Sequence, residues 1–437
     1  MIASLLTQTN PADAHAHGGQ FLRDALALGD KHPVVATTAI FSHNGIKLVD
    51  TGTRVTSALH ERLVRHKLLT PIERCLTAQG GVDAAQLVRN AQQLLAGDVR
   101  FERISEAMPK ETLLGAFRHV LLLPPLAFKL TVAREQRAEL FAHSVEVAVL
   151  AVYLHAMSSR KVADLAVTAS AGLLQDIGLL HVAPDILAPG RALSQAERSY
   201  LYTHPITAHL IVREFMEFNP VASTAILQHH ERLDGSGYPY GLQGDRISGL
   251  GKILMMADSG AALLKSGAVG QGGVALRLLH RKFEPALLDH LSRLFESLEA
   301  PSEELVAPDC DLALRQLHAL AETLAEWDNT HAKLKAEWSG HEDDTLLDLV
   351  DRRVLALERS LLESGFVANQ LESFADLAMQ AESGAQEMRE MAREALWQLK
   401  EVTLEARRRS AASATPGAIE QSIARWLGRA EERFARI

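Results

Sequence analysis

Side chains that bind metal ions recur at similar intervals through the middle of the chain. The sequence has 437 residues, of which 19 are histidines. Imidazole and carboxylate groups are common protein ligands of iron, manganese and zinc. The candidate ligands are His143, Asp176, His204, His229, His230 and Asp258. Counted between consecutive positions, with the histidine pair as one, the gaps are 33, 28, 25 and 28 residues.

This spacing predicts a helical bundle with a metal site in its core. A helix of about a dozen residues, its loop and a return helix occupy roughly such a gap. Neighbouring helices could therefore each contribute one inward ligand at about the same depth, as in other bundles that hold two metal ions. Taken singly, each histidine is more often an ordinary core or surface residue. Taken together, the positions favour a metal centre.

The segment after the histidine pair carries the most specific pattern. Residues 229–239 read His-His-Glu-Arg-Leu-Asp-Gly-Ser-Gly-Tyr-Pro. With Gln175-Asp176-Ile177-Gly178, His204-Pro205 and Asp258, this segment resembles the HD-GYP family, the helical metal-dependent phosphohydrolases that hydrolyse the bacterial messenger cyclic di-GMP. The resemblance covers residues 140 to about 297.

The resemblance implies a phosphodiesterase site with two or three divalent cations, usually iron or manganese, which activate water. It implies metal-ligand roles for His143, Asp176, His204, His229, His230 and Asp258. Asp176 would bridge two ions and act in catalysis. Gly237 and Tyr238 would contact the nucleotide or a protein partner. Glu139 stands where some family members have a glutamate that binds a third metal ion.

Four positions depart from the family pattern. Gln175 stands where the family has a histidine, and its neutral amide oxygen is a poorer ligand than imidazole. Leu179 replaces a lysine that would lie beside the reacting phosphate. Ala261 and Gly267 replace an aspartate and an arginine that contact the metal site and the phosphate. Lys265 could restore part of the lost positive charge at the substrate.

These departures leave functions from different classes open. The first is an HD-GYP-type protein of cyclic di-GMP signalling that holds one ion or none, has weakened or lost hydrolysis, and acts as a binding and regulatory module. The alternative is an active phosphodiesterase that uses the remaining ligands. His181 is a substitute ligand in that case, although an ordinary loop histidine is the simpler interpretation. Metal-dependent hydrolysis of a different phosphoester is a third reading.

The whole chain predicts a mainly α protein with several parts. The predicted parts are a flexible tail (1–30), a small strand and helix module (31–70), a helical connector (71–125), an HD-GYP-like domain (126–297) and a C-terminal helical bundle or coiled region (298–437). In the small module, strands at 34–41 and 46–49 are joined by an Asn44-Gly45 turn. The C-terminal helices or the Gly-Tyr-Pro loop could contact a protein partner.

Composition excludes several other classes. A hydrophobic share of 47% is too high for a disordered chain. The net charge is −9, and the only short basic run is 407–409, so we expect no general nucleic-acid binding. The most apolar run, 119–130, is broken by two prolines and is too short to span a bilayer. Two cysteines, far apart in sequence, and the lack of a secretory signal pattern favour a cytoplasmic protein.

Overall fold

The computed structural model describes most of the chain as helix. The described residues are 19–188, 191, 193–265, 282–296, 310–337, 345–363, 384–410 and 417–436. They fall into two compact units, Met1–Lys265 and Ser266–Ile437. The predicted mainly α fold is confirmed in both units.

The first unit begins with a small module of helices and short strands, residues 19–78, which we call the N-terminal module. Its elements are α1 (Gln20–Lys31), β1 (Val34–Ala36), β2 (Ile40–Phe41), β3 (Lys47–Val49), α2 (His60–Val64) and β4 (Leu76–Ala78). Strands β2 and β3 form an antiparallel hairpin around the predicted turn, whereas the strand predicted over 34–41 is divided into β1 and β2. Gly45 has a φ of 79° in its turn, a conformation that favours glycine.

Two features of this module differ from the sequence-based expectation. Residues 20–30 do not form a flexible tail, because Phe21, Ala25, Leu26 and Leu28 bury one side of α1. The predicted helical connector from residue 71 instead starts with a 3-10 turn, Ile72–Arg74, and then strand β4. Strand β4 pairs antiparallel with β1, about 40 residues earlier, and local periodicity does not reveal such a distant pairing.

Helices make up the rest of the first unit. They are α3 (Ala84–Gly97), α4 (Val99–Ala107), α5 (Lys110–Arg118), α6 (Pro124–Gln136), α7 (Ala138–Ala156), α8 (Val162–Leu174), α9 (Gln195–Leu201), α10 (His204–Arg213), α11 (Pro220–Gln228) and α12 (Gly249–Lys265). Helix α7 lies at the centre and packs against α6, α8 and α12. At Gly172 on α8, a Cβ atom would lie 2.7 Å from Ala148 Cα, so glycine permits the close approach of α7 and α8.

Two apolar segments of this unit are long enough to cross a membrane by length and composition. They are Ala138–Ala156 and Val162–His181. Their apolar windows are 61% and 72% buried inside the protein. Such burial is normal for the central helices of a helical bundle.

The second unit has a hydrophobic core of its own. Its helices are α13 (Pro285–Glu296), α14 (Cys310–Glu337), α15 (Thr345–Glu363), α16 (Gly384–Ser410) and α17 (Ala418–Ala435). Helices α14 to α17 pack against one another around leucine, valine and methionine side chains. Trp327 and Trp426 lie within this core with ring centroids 4.8 Å apart. The described residues of this unit therefore form a helical bundle, as the sequence predicts.

Candidate metal centre

The fold brings the six predicted metal ligands together. His143 lies in the second turn of α7, and Asp258 lies within α12. Asp176 follows α8 directly after its capping residue Gln175. The first residue of α10 is His204, and the pair that directly follows α11 is His229, its C-cap, and His230. These side chains form two possible metal-binding groups, Asp176–His204–His229–His230 and His143–Asp176–Asp258.

The first group presents lone pairs that point at one another. Nδ1 of His204 lies 2.8 Å from the Leu201 carbonyl oxygen, and Nδ1 of His229 lies 2.6 Å from that of Ile226. Because a carbonyl oxygen only accepts, each Nδ1 carries the proton and each Nε2 keeps a lone pair. Metal-binding histidines typically donate such a hydrogen bond from the ring nitrogen that does not bind the metal.

These lone pairs converge on a carboxylate oxygen. The two Nε2 atoms are 3.3 Å apart, and Oδ1 of Asp176 lies 3.1 Å from His204 Nε2 and 3.4 Å from His229 Nε2. Asp176 Oδ1 is buried and has no hydrogen-bond partner. Three acceptors at these distances repel one another unless a cation lies between them. The donor set therefore fits a divalent metal ion.

His230 is suited to the same ion. Burial beside the rings of His229 and His204 holds the pKa of His230 well below its usual range. Its imidazole is therefore neutral, as metal binding requires. The His230 ring lies 4.1 Å from the ring of His229 and 4.9 Å from that of His204.

The second group contains one hydrogen bond, between His143 and Asp258, and one longer contact of His143 with Asp176. Nε2 of His143 lies 3.0 Å from Asp258 Oδ1 and 3.8 Å from Asp176 Oδ2. Burial opposes the charging of His143, but contacts with Asp258 and Glu146 raise its pKa to about 10. Asp176 belongs to both groups, one oxygen facing each, which is the arrangement of a bridging carboxylate.

Gln175 takes part in this second group. It is fully buried, and its Nε2 donates to Asp258 Oδ1 over 3.2 Å. Its Oε1 is buried without a hydrogen-bond partner. Asp258 Oδ1 thus contacts both His143 and the amide of Gln175, and a cation in this group would compete with those hydrogen bonds.

A closed loop lies over the histidines. The Glu231 carboxylate is fully buried and accepts from Tyr240 N and Leu242 N, each over 2.8 Å. A Cβ atom at Gly237 would lie 2.3 Å from Glu231 Cα, so only glycine fits there. The loop places Tyr238 4.7 Å from the ring of His230 and 4.1 Å from that of Tyr202, to which it is stacked.

Sequence reasoning assigned no role to Glu231 or Tyr202. The signal for Glu231 was its place directly after the histidine pair, within the recognised motif. Tyr202 lies two residues before a ligand, which by itself indicates nothing. Its stacking on Tyr238 joins residues 36 positions apart and depends on the fold.

The remaining predicted site residues either belong to neither group or lie outside the described structure. Glu139 is exposed in the first turn of α7 and belongs to neither group. Lys265 is the last residue of α12, and its side chain lies outside the described structure, as does all of Gly267. Ala261 is buried in α12. His181 is not a substitute ligand here, because its Nε2 faces Lys129 Nζ at 3.4 Å.

Comparison with known proteins identifies this helical region. Residues 127–282 match the family model of the HD domain. A cyclic di-GMP phosphodiesterase of Pseudomonas aeruginosa is 31% identical over 26% of this chain and 28% of its own length. A 3'3'-cGAMP-specific phosphodiesterase of Vibrio cholerae is 36% identical over 26% of this chain and 25% of its own. A cyclic di-GMP phosphodiesterase response regulator of Xanthomonas campestris pv. campestris is 33% identical over 29% of this chain and 35% of its own length.

The fold and the family match thus define residues 127–282 as an HD domain. The Gly-Tyr-Pro loop and these relatives support membership of this domain in the HD-GYP family. The chain spans only about a quarter to a third of the length of the relatives it matches. A solved HD-GYP-type protein of Bdellovibrio bacteriovorus overlaps 62% of this chain and 97% of its own at 16% identity, with a TM-score of 0.33, too low to bear on the argument.

Proposed function

We propose that the HD domain binds a cyclic dinucleotide at a centre with one tightly held divalent cation, iron or manganese, and that hydrolysis is weakened or lost. It would act as a cytoplasmic binding and regulatory module of cyclic dinucleotide signalling. The observation that carries this proposal is the hydrogen bond from Gln175 Nε2 to Asp258 Oδ1 over 3.2 Å. That bond occupies an oxygen of the second metal-binding group.

The first group supports one strongly bound ion. It offers three imidazoles and one carboxylate oxygen, and Asp176, His204 and His229 are almost fully buried. Hydrogen bonds from Nδ1 to backbone carbonyl oxygens fix the rings of His204 and His229. When bound, a divalent cation would acidify water and offset phosphate charge. The protein residues supply its ligands, and Tyr238 supplies an aromatic face beside them.

The second group supports a weaker ion, if any. A cation there has to displace the contacts of Asp258 with His143 and Gln175. Gln175 offers only a neutral oxygen in return. On the substrate side, Leu179 and Ala261 are apolar and cannot offset phosphate charge. A site that requires two cations for catalysis would therefore lose rate.

An active phosphodiesterase is the second candidate. The convergence of all six candidate ligands supports it, since Asp176 belongs to both possible metal-binding groups. The buried, unpartnered Oε1 of Gln175 is an oxygen that a cation could engage after an amide rotation. In either case Tyr240, 44% exposed in the loop, could contact a protein partner.

Turnover measured together with metal content tests the proposal. The full chain is purified anaerobically, loaded with Fe(II) or Mn(II), and incubated with cyclic di-GMP and with 3'3'-cGAMP, since the relatives act on either. We expect about one ion per chain, nucleotide binding and little product. Two ions with product formation that Asp176→Ala abolishes would establish the active enzyme instead. A protein that binds neither metal nor nucleotide would overturn both readings.

A further inference from the structure

A buried lysine lies between the N-terminal module and the segment that follows Asp176. Lys129 on α6 is fully buried. Its Nζ is 2.8 Å from Glu73 Oε1, 3.4 Å from His181 Nε2 and 3.7 Å from the centre of the Phe21 ring. An ammonium group in such surroundings is stable only when it is paired. The four side chains are therefore held in one arrangement.

The lysine fixes the orientation of His181. Because an ammonium group only donates, Nε2 of His181 accepts the hydrogen bond. Burial and the charge of Lys129 lower the pKa of His181 to about 3, so its ring is neutral. The ring stacks on Phe21 with centroids 5.5 Å apart. The Tyr200 hydroxyl donates to the His181 carbonyl oxygen over 3.0 Å, which fixes the backbone as well.

His181 ends the 3-10 helix that links this cluster to the metal centre. The helix, Ile177–His181, begins directly after Asp176. In its first turn, a Cβ atom at Gly178 would lie 2.2 Å from the backbone oxygen of His204. The position of this short helix therefore sets two ligands, Asp176 through the chain and His204 through direct packing.

A second tether acts on the same segment. Arg137, before α7, pairs with Asp24 of α1 at 3.0 Å and donates to the Val182 carbonyl oxygen over 3.2 Å. Both side chains of the pair are largely buried. The N-terminal module is thus linked to the segment after Asp176 by two ion pairs, Glu73–Lys129 and Asp24–Arg137, and by the contact of Phe21 with His181.

We propose that Lys129 is a positioning residue of the metal centre, and that the N-terminal module completes this centre by supplying Glu73 and Phe21. Lys129 acts through His181 and the 3-10 helix. The inference rests on the proposed metal-dependent function. It gives the N-terminal module a role in the affinity of the site, beyond covering the hydrophobic core.

The test compares two changes on the same helix in the full chain. Lys129→Met alone would leave the Glu73 carboxylate buried and unpaired, so the double variant Lys129→Met/Glu73→Gln is used. Thr131→Val is the matched control, because the Thr131 hydroxyl is buried on α6, accepts from Val82 N over 2.9 Å and donates to the Ala127 carbonyl oxygen over 2.7 Å. Circular dichroism establishes a temperature at which all variants are folded.

Two readouts are taken at that temperature. The first is the dissociation constant for Mn(II), measured by competition with a chelating dye. The second is amide hydrogen exchange of peptides covering 174–182 and 203–208 in the metal-free protein. We expect the double variant to bind Mn(II) about 10-fold more weakly, in the range for outer contacts of metal ligands, and to lose exchange protection in both peptides. Thr131→Val should lower the melting temperature and change neither readout.

The outcomes separate this inference from the proposed function. Unchanged affinity and unchanged protection in the double variant would show that Lys129 is only a packing residue. If the native protein binds no Mn(II), the proposed function fails, and hydrogen exchange alone decides whether Lys129 positions the segment. Equal losses in Thr131→Val and the double variant would also overturn the inference, because they would indicate general loosening of the module.

Discussion

The amide of Gln175 donates a hydrogen bond of 3.2 Å to Oδ1 of Asp258, an oxygen that also lies 3.0 Å from His143 Nε2. Gln175, which stands where the family has a histidine, therefore makes a contact of its own within the candidate site. It contacts a predicted metal ligand, and under the proposed function this contact competes with a cation for the Asp258 carboxylate. The other group, centred on Asp176, His204 and His229, is intact.

Replacing Gln175 with histidine should increase the number of bound ions. We expect Gln175→His to raise the content of tightly held Fe(II) or Mn(II) from about one to about two per chain, because imidazole is a better ligand and releases Asp258. Inductively coupled plasma mass spectrometry after desalting measures this. Gln175→Leu, which also removes the amide hydrogen bond but adds no ligand, is the control. Equal metal content in the native protein and Gln175→His would contradict the prediction.

The six candidate ligands could be selected from the sequence because each lies in a local motif of the family, such as His204-Pro205 or the histidine pair, and the fold brings them together. The hairpin around Gly45 also followed from local turn chemistry. The β1–β4 pairing and the cluster around Lys129 could not be predicted. Glu73 and His181 lie 56 and 52 residues from Lys129, and only tertiary packing brings them together.

Glu231 should be required for the loop that carries Tyr238. Glu231→Gln keeps the shape but places an NH2 group against one of two backbone N–H donors, those of Tyr240 and Leu242. A buried donor left without an acceptor costs about 1–3 kcal/mol of folding free energy. We expect a lower melting temperature and weaker binding of cyclic di-GMP, measured by calorimetry, with Mn(II) affinity nearly unchanged. Parallel loss of metal would show that Glu231 acts on the ligands instead.

Gly178 should tolerate no side chain. A Cβ atom there would lie 2.2 Å from His204 O, so Gly178→Ala has to move the 3-10 helix or the start of α10. We expect a loss of about 1–3 kcal/mol in unfolding free energy, as for overpacked cores, together with weaker Mn(II) binding. Gly249→Ala is the matched control, because a Cβ atom at Gly249 meets no atom within 4 Å. An unaltered Mn(II) affinity in Gly178→Ala would show that the ligands do not depend on this contact.

The stability of the second unit should fall as pH rises from about 4.5 to about 7. Burial, with Asp328 and Asp351 nearby, raises the pKa of Glu358 from its usual value of 4.5 to about 7. The folded state therefore binds this proton more tightly than the unfolded state. The free energy of unfolding falls as pH rises between the two pKa values, and the stabilisation is lost above about pH 7. Glu358→Gln should flatten this dependence and raise the melting temperature at pH 8.

Tryptophan fluorescence can follow this transition selectively, because all four tryptophans lie after residue 310. Asp348→Asn provides the control, since Asp348 is an exposed acid on the same helix, α15. It should retain the native pH dependence between pH 5 and pH 8. If Glu358→Gln and the native chain lose the same stability over that interval, Glu358 is not the group that titrates. The pH dependence would then have to come from other titratable groups of the bundle, because every group that binds its proton more tightly in the folded state contributes the same sign.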